Sequence, residues 1–589
     1  MSIRTIALSS VFFVFCSLSF AVGEEKLGVS LSAAQLGRYE KLDIDITGVG
    51  EFAKPMNPYE VKLDAILVTP SGKSIKVPGF AMHQTKPTGS DITPKYKPVG
   101  PWLWKIRYAP DETGTYKGTA SLVVAGRAAK NSDPFEFKVV ESKSKGFIRV
   151  SKSNPFAFQY ADGSPYILIG QNLCWANDTA QAGRLARYTK WLDDMAANNC
   201  NYIRIWLGSR WSFGIEGDES KTFTEPYEYN EDAAALMDKV LALCEERGIA
   251  IKLCIGNNVD TYFKSKGGNY NVSSGKQFLT DPAAKKQWRA LLRYCIARWG
   301  ASTSIFAWEL WNEMDHNIWG MGRQVADWSN EMCAYIKRLD PYRHPTTNST
   351  GSKSRLFVLW NKPNVDFAQY HDYGGKGKNE GKPQYQVYAP AIADLRKAGK
   401  PVMLAECGLA QKQQKADAAA YAFHEALWIG FIAGGCGTGM HWWWDNAIQF
   451  HPKTHYPQYK HFAAFVSDLP VLKEPFPPID AKASSENLKV YARGAGWGTI
   501  CWVANYSDRW QRLVIDKKQP ENVSGAVLTL PIKTAARYKI ICFDPWTGRT
   551  LSEVTRRLVA GKNEVRLPDF KIDVAVKALR AADMPPAKR

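Results

Sequence analysis

Across residues 165–467, eight short apolar runs alternate with longer amphipathic segments. The runs have the length of strands, and the segments between them repeat apolar residues with the period of a helix. Strands that alternate with helices form parallel sheets, and eight such units in succession are typical of a closed (β/α)8 barrel, the TIM barrel. The predicted fold class is therefore α/β. The predicted strands are 166–172, 202–207, 250–256, 305–311, 345–349, 365–371, 401–406 and 437–443.

The segments on either side of this region have a different pattern. In 24–142 and again in 484–589, apolar and polar residues alternate in short runs separated by turn residues. A period of two with frequent turns predicts a β-sandwich at each end of the chain. A polar linker at 141–146 separates the first sandwich from a barrel domain predicted at 146–478.

The first residues have the pattern of a secretory signal. Arg4 precedes an apolar run at 6–20, and Ser19-Phe20-Ala21 has the small residues of a cleavage site. The run is short for a membrane span, so we predict a signal peptide at 1–23 and a secreted or periplasmic protein without a membrane span.

Ten of the eleven cysteines follow this segment, and none of the ten has CxxC spacing. We therefore predict neither a metal site nor a cofactor. Most of the cysteines lie in apolar patterns typical of buried thiols. Cys501 and Cys542 share the C-terminal β-rich segment, where either a disulfide, favoured by export, or two free thiols are consistent with the sequence.

The chain carries a formal charge of +19, from 76 Lys and Arg against 57 Asp and Glu. A basic balance fits either a solvated surface or an acidic partner such as an anionic polysaccharide. Nucleic acid is not expected, because the charges are spread along the chain and the sequence has no zinc-ligand spacing or basic helix.

Two glutamates follow strands of the predicted barrel. Glu313 comes just after the fourth strand, and Glu406 ends the seventh. Active sites of such barrels lie at the carboxyl ends of the strands. Because an unpaired carboxylate is costly to bury, each glutamate needs either a cation at the barrel rim or a functional role.

Asn312-Glu313 after the fourth strand, with Glu406 after the seventh, resembles the pattern of clan A glycoside hydrolases, and the cellulase-type family 5 is the most similar family. The resemblance extends over 165–470, and the preceding sandwich resembles an immunoglobulin-like domain. Further residues that fit the pattern are Arg204 on strand two, His371 and Tyr373 after strand six, and Trp442 and Trp444 on strand eight.

The resemblance implies that Glu313 is the general acid/base and Glu406 the nucleophile. A retaining glycosidase needs these carboxyl groups about 5–5.5 Å apart, on either side of the glycosidic bond. Asn312 would bind the sugar 2-hydroxyl, a contact that strengthens in the transition state.

The same resemblance implies roles around the nucleophile. Arg204 would favour the ionised nucleophile and lower its pKa, with a purely structural salt bridge as the alternative. Tyr373 would donate a hydrogen bond to the nucleophile. His371 would either bind sugar or pack as a core histidine.

The aromatic residues at the eighth strand predict a sugar platform. Strand alternation places Trp442 and Trp444 on one face and Trp443 on the other. An indole stacks against the C–H face of a sugar, and Trp442 is the residue expected beneath the cleaved sugar. Plain core packing is the alternative for each tryptophan.

Two features bear on the substrate. Where family 5 enzymes usually have a histidine after strand three, this chain has Cys254-Ile255-Gly256-Asn257-Asn258. Basic residues near the predicted barrel mouth would pair with sulfate or carboxylate groups of an anionic polysaccharide, a neutral mannan or glucan being the alternative. These residues are Arg210, Lys264, Lys266 and Arg323.

The sequence thus predicts a secreted retaining glycoside hydrolase that cleaves β-glycosidic bonds of a polysaccharide or oligosaccharide by double displacement. A sugar acceptor in place of water would make it a transglycosylase. A non-catalytic carbohydrate-binding protein and a structural adhesin are alternatives from other classes, and both catalytic carboxylates argue against them.

Overall fold

The computed structural model describes residues 26–89, 95–176, 183–208, 213–217, 223–257, 267–315, 322–351, 357–374 and 379–583. The predicted signal peptide at 1–23 and the basic residues Arg210, Lys264 and Lys266 lie outside these ranges. Among the described residues, no helix is both long enough and apolar enough to cross a membrane.

The N-terminal unit is a nine-stranded sheet that folds around its own core. Alternate residues of its strands turn inward, as Leu42, Ile44 and Ile46 do, which is the period of two expected from the sequence. The strands are β1 (Gly28–Leu31), β2 (Gln35–Gly37), β3 (Leu42–Thr47), β4 (Val61–Val68), β5 (Ser74–Thr88), β6 (Lys95–Tyr108), β7 (Gly114–Val124), β8 (Lys130–Asn131) and β9 (Phe135–Val140).

A small antiparallel sheet leads into the central region. Its strands are β10 (Ile148–Val150), β11 (Phe158–Tyr160) and β12 (Pro165–Tyr166). Phe158 and Tyr166 pack against residues at the amino ends of the parallel strands described next, such as Tyr202 and Ala250. This sheet therefore covers the end of the central region opposite the carboxyl ends of its strands.

The described residues of the central region form seven parallel strands, arranged as a five-stranded and a two-stranded sheet. They are β13 (Gly170–Asn172), β14 (Tyr202–Trp206), β15 (Ala250–Gly256), β16 (Ile305–Trp311), β17 (Thr346–Thr347), β18 (Ala368–His371) and β19 (Val402–Glu406). Backbone hydrogen bonds join the two sheets, for example from Asp366 N to Thr346 O at 2.8 Å.

The predicted eighth strand at 437–443 does not form a regular ladder, and isolated parallel bridges take its place. Gly437 pairs with Leu168, and His441 pairs with both Gln171 and Cys407. A Cβ at Gly437 would overlap the carbonyl oxygen of Leu168, so the close approach at this point needs glycine. These bridges join the first and last segments and complete a ring of eight.

Helices lie between the parallel strands, and some of them begin at a side-chain cap. The side chain of Asn230 accepts hydrogen bonds from Asp232 N and Ala233 N, and that of Asp281 caps the helix that starts at Pro282. The helices are α1 (Arg184–Ala197), α2 (Glu231–Arg247), α3 (Gly275–Thr280), α4 (Pro282–Trp299), α5 (Gly322–Leu339), α6 (Phe357–Trp360), α7 (Gln384–Arg396), α8 (Gln411–Ala416), α9 (Tyr421–Ile432) and α10 (Pro452–Val466).

The C-terminal unit consists of a six-stranded and a three-stranded antiparallel sheet that share one core. It begins at Pro478, before the predicted boundary at 484. The strands are β20 (Pro478–Ile479), β21 (Lys482–Ala483), β22 (Leu488–Ala495), β23 (Gly498–Asn505), β24 (Val527–Ile532), β25 (Ala536–Asp544), β26 (Arg549–Leu558), β27 (Gly561–Arg566) and β28 (Asp573–Arg580).

The possible disulfide between Cys501 and Cys542 does not form, and both thiols are free and buried. Both residues pair with Val576 of β28, one from each side. They are therefore two strand spacings apart, about 9–10 Å. A disulfide requires Cα atoms within about 7 Å, so the sheet register excludes the bond.

Candidate active site

The structure brings Glu313 and Glu406 together at the carboxyl ends of the parallel strands. Glu406 is the last residue of β19, and Glu313 follows the end of β16. Nδ1 of His371 lies between them, 2.8 Å from Oε1 of Glu313 and 3.2 Å from Oε1 of Glu406. Side-chain oxygens of the two glutamates come within 4.8 Å of one another. The nearest oxygens are therefore no farther apart than the 5–5.5 Å expected from the sequence.

Glu406 is buried and held by two donors. Nη1 of Arg204 lies 2.5 Å from Oε1, and the Tyr373 hydroxyl donates to Oε2 at 2.6 Å. Burial raises the pKa of Glu406, whereas His371 and Arg204 lower it, and the pKa remains above its ordinary value. The expected effect of Arg204 is therefore present, but burial outweighs it.

Arg204 makes more contacts than its place on β14 predicts. Nη2 donates to Oδ1 of Asn312 at 2.7 Å, and Nε and Nη2 together bind both carboxylate oxygens of Glu309. Asn312 in turn lies beside Glu313 on the chain, within reach of the ring mouth. One buried guanidinium thus connects strands β14, β16 and β19.

The backbone at Glu313 has a strained conformation. Its φ is +46°, in the left-handed region that side chains other than glycine rarely adopt. Ser349 Oγ accepts a 2.9 Å hydrogen bond from Glu313 N, and Asn348 Oδ1 accepts one from Trp311 N at 3.0 Å. Such strain persists where neighbouring groups fix it, and it is common at active sites.

The tryptophans differ from the alternation expected of a strand. Trp444 N bonds back to Trp442 O at 2.8 Å, so this segment turns instead of extending. Trp444 is 1% exposed and packs beneath Trp175, which makes it a core residue and not the predicted sugar contact. Trp442 is part-exposed against Trp206, and Trp443 lies near Tyr373 with ring centroids 6.1 Å apart.

Three polar residues within the ring were missed as site residues from the sequence. Asn172 donates to the carbonyls of Ala405, Met440 and His441 and so links the first, seventh and eighth segments. Glu309 and Lys252 form an ion pair at 3.3 Å with both side chains fully buried. A charged residue in the middle of an otherwise apolar strand was the available signal for both.

Glu313, His371 and Glu406 are also the described residues whose donor atoms are close enough to share a metal ion. The contacts of His371 with both glutamates and the ion pair between Arg204 and Glu406 already account for this proximity. The predicted absence of a metal remains a prediction. Arg323, at the start of α5, is exposed.

Two family models match separate parts of the chain. The model for cellulase (glycosyl hydrolase family 5) matches residues 160–447, which contain every site residue described above. Residues 160–447 form a glycosyl hydrolase family 5 domain. This family 5 domain is an O-glycosyl hydrolase domain of clan A, as the resemblance implied. Its parallel strands and intervening helices have the arrangement expected of a (β/α)8 barrel.

The N-terminal unit belongs to a different family. Residues 35–122 match a domain of unknown function (DUF5060). The immunoglobulin-like resemblance of this unit stays a prediction.

Curated relatives of the family 5 domain include plant enzymes. Mannan endo-1,4-beta-mannosidase 1 of Oryza sativa subsp. japonica is 26% identical over 43% of this chain and 67% of its own length. Mannan endo-1,4-beta-mannosidase 2 of Arabidopsis thaliana is 25% identical over 47% of this chain and 72% of its own length. Among the rice relatives, the matched share of the relative's length falls to 33%.

A solved Bacteroides vulgatus structure assigned as a glycoside hydrolase shares the fold over most of the molecule. Its TM-score is 0.59 at 16% identity, with 93% of this chain and 100% of that chain covered. The likeness therefore extends beyond the family 5 domain to the flanking units.

Proposed function

We propose that the chain is a retaining glycoside hydrolase that cleaves β-glycosidic bonds of a polysaccharide by double displacement. The observation that carries this proposal is the pair Glu313 and Glu406, whose oxygens come within 4.8 Å. Inverting enzymes separate their carboxyl groups by about 6.5–9.5 Å to admit a water, whereas retaining enzymes hold them at about 5–5.5 Å.

In the proposed reaction, Glu406 attacks the anomeric carbon while Glu313 gives a proton to the departing glycosidic oxygen. The covalent glycosyl–enzyme ester then reacts with water, and Glu313 takes the proton back as general base. Arg204 and Tyr373 hold Glu406 in position for attack. Asn312 would bind the sugar 2-hydroxyl, and Trp442 is a part-exposed indole that would stack against the sugar.

We propose a β-1,4-linked mannan as the substrate class, supported by the mannan endo-1,4-beta-mannosidases of rice and Arabidopsis that the domain resembles. If the substrate is a neutral polymer, the excess basic residues only keep the protein surface solvated. The anionic polysaccharide remains the alternative, carried by the formal charge of +19.

Transglycosylation uses the same covalent intermediate with a sugar acceptor, so product analysis must separate it from hydrolysis. A non-catalytic carbohydrate-binding barrel is disfavoured, because both carboxylates are present and hydrogen-bonded in one cluster. We also propose that the chain is exported, on the strength of the signal pattern at 1–23.

The test is hydrolysis of mannan and of aryl β-glycosides by the purified chain, with the anomeric configuration of the first product read by NMR. We expect a β product that mutarotates later. Glu406→Ala should lower turnover by roughly 10³-fold or more, and azide should restore activity by forming the glycosyl azide of inverted configuration. Glu553→Ala, on the exposed strand β26, is the matched control. An α first product, or a fully active Glu406→Ala variant, would contradict the proposal.

A further inference from the structure

Two charged side chains that the proposed mechanism does not use lie below the active site, within the barrel. Lys252 on β15 and Glu309 on β16 are both fully buried. Nζ of Lys252 lies 3.3 Å from Oε2 of Glu309 and also donates to Oε1 of Gln369. Buried charges are costly unless they are paired, so this pair needs a structural or functional reason.

Glu309 is the main partner of Arg204. Nε of Arg204 lies 2.7 Å from one oxygen of Glu309, and Nη2 lies 2.8 Å from the other, which is the bidentate geometry of a strong pair. Nη1 of the same guanidinium lies 2.5 Å from Glu406. If only Arg204, Glu309 and Glu406 were present, one positive charge would be paired with two carboxylates. Glu309 would then receive most of the electrostatic stabilisation from Arg204.

We propose that Lys252 is a positioning residue for the nucleophile: by neutralising Glu309, it leaves the charge of Arg204 to stabilise the ionised form of Glu406. This proposal rests on the proposed function insofar as it takes Glu406 as the nucleophile. With Lys252 included, the buried network contains two cations and two anions, and the charges balance.

The pKa shifts of the pair agree with this arrangement. Burial raises the pKa of Glu309, but Arg204 and Lys252 outweigh it and hold the pKa at about 2. Burial lowers the pKa of Lys252 to about 8, although Glu309 acts to raise it. Glu309 is therefore charged at neutral pH, and Lys252 loses its charge in mildly alkaline solution.

Other titratable groups also face the network. Around Glu406 they are Glu313, His371, Tyr373, Cys174, Cys254 and Cys407. Around Lys252 they are Arg204, Cys254 and Cys436, in addition to Glu309. Burial raises the pKa of each of the four thiols, so they stay neutral and leave the charge balance unchanged.

The test measures the titration of Glu406 directly in the full chain. Protein labelled with ¹³C at the glutamate side-chain carboxyl is titrated by NMR, and the Glu406 signal is assigned by its loss in Glu406→Gln. Lys252→Met removes one cation at similar side-chain length, and we expect the Glu406 pKa to rise by about 0.5 or more. Glu309→Gln removes the competing anion, and we expect a fall of similar size.

The double variant Lys252→Met/Glu309→Gln removes both charges and should return the titration close to that of the parent protein. Shifts of opposite sign that cancel in the double variant distinguish charge from packing. Where hydrolysis is measured, the apparent pKa of the acidic limb of the kcat/KM profile should rise in Lys252→Met, fall in Glu309→Gln and return close to the parent value in the double variant. Lys285→Met and Glu331→Gln, which break a part-exposed ion pair between α4 and α5, are the matched controls.

If both single variants leave the Glu406 titration unchanged, the proposal is overturned. Should Lys252→Met fail to fold, Glu309→Gln and the double variant still provide the downward shift and its cancellation. Opposite shifts in a protein that hydrolyses no β-glycoside would overturn the proposed function and leave the charge coupling in place. Hydrolysis with retention of configuration, together with an unchanged Glu406 titration in the variants, would support the proposed function and overturn the charge coupling.

Discussion

The hydroxyl of Tyr373 donates a 2.6 Å hydrogen bond to Oε2 of Glu406. Burial raises the pKa of Tyr373 well above its ordinary value, so the phenol keeps its proton and acts as a donor throughout the working pH range. The bond stabilises the ionised carboxylate and fixes its orientation.

Removal of this hydroxyl should impair catalysis more than substrate binding. We expect Tyr373→Phe to lower kcat by roughly 10–100-fold and to move the acidic limb of the pH profile upward, because Glu406 loses a donor to its charged form. Steady-state kinetics across pH provide the measurement, with Tyr538→Phe in the C-terminal unit as control. An unchanged pH profile would show that Tyr373 does not support the ionised form of Glu406.

The sequence was sufficient to predict seven of the parallel strands, because their apolar runs are continuous. The proximity of Glu313 and Glu406 also followed from their positions at the ends of strands. Trp444 was wrongly predicted to bind sugar, because the turn at Trp442–Trp444 depends on hydrogen bonds that no period reveals.

Glu313→Gln should harm substrates with poor leaving groups most. We expect a loss of roughly 10²–10⁴-fold on mannan, and a much smaller loss on aryl glycosides whose phenolate leaves without a proton. Comparison of kcat/KM for the two substrate classes tests the assignment. Equal losses on both classes would show that Glu313 is not the acid.

Chelation should leave activity intact. Although Glu313, His371 and Glu406 are close enough to share an ion, the proposed double displacement needs none. We expect full activity after dialysis against EDTA, and inhibition by added Zn²⁺, which takes nitrogen and oxygen ligands of this kind. A loss on chelation that Zn²⁺ or Mn²⁺ restores would indicate a metal enzyme.

The salt dependence of KM distinguishes a neutral mannan from an anionic polysaccharide as the substrate. Interactions between exposed charges are screened beyond about 8–10 Å at physiological ionic strength. For a neutral mannan we expect KM to stay within about twofold between roughly 20 and 500 mM NaCl. A steep rise in KM over this range, with kcat nearly constant, would favour the anionic polysaccharide.

Glu425 should make stability depend on pH. It lies on α9 and accepts hydrogen bonds from Gln384 N at 2.7 Å and Trp510 N at 3.4 Å. Burial raises its pKa to about 8, so the folded state holds a proton that the unfolded state releases near pH 4.5. Its contribution is complete below about pH 4.5 and is lost as the pH rises through about 8.

We therefore expect Glu425→Gln, which mimics the protonated form, to raise the free energy of unfolding at pH 9 by about 1–3 kcal/mol and to change it little at pH 4. Denaturant titrations at the two pH values provide the measurement, with Glu553→Gln as the exposed control. If the free energy of unfolding changed equally with pH in the variant and the parent protein, a raised pKa for Glu425 would be contradicted.

The glycine-rich closure of the barrel also determines when the active site can form during synthesis. Gly437 meets Leu168, and the segment that contains it leads directly into Trp442. The partners of this closure are separated by most of the family 5 domain along the chain, so ribosomal synthesis completes one long before the other. A nascent chain that ends before this closure would have Glu313 and Glu406 but an incomplete pocket, and therefore the last barrel segment to emerge is the one that permits catalysis.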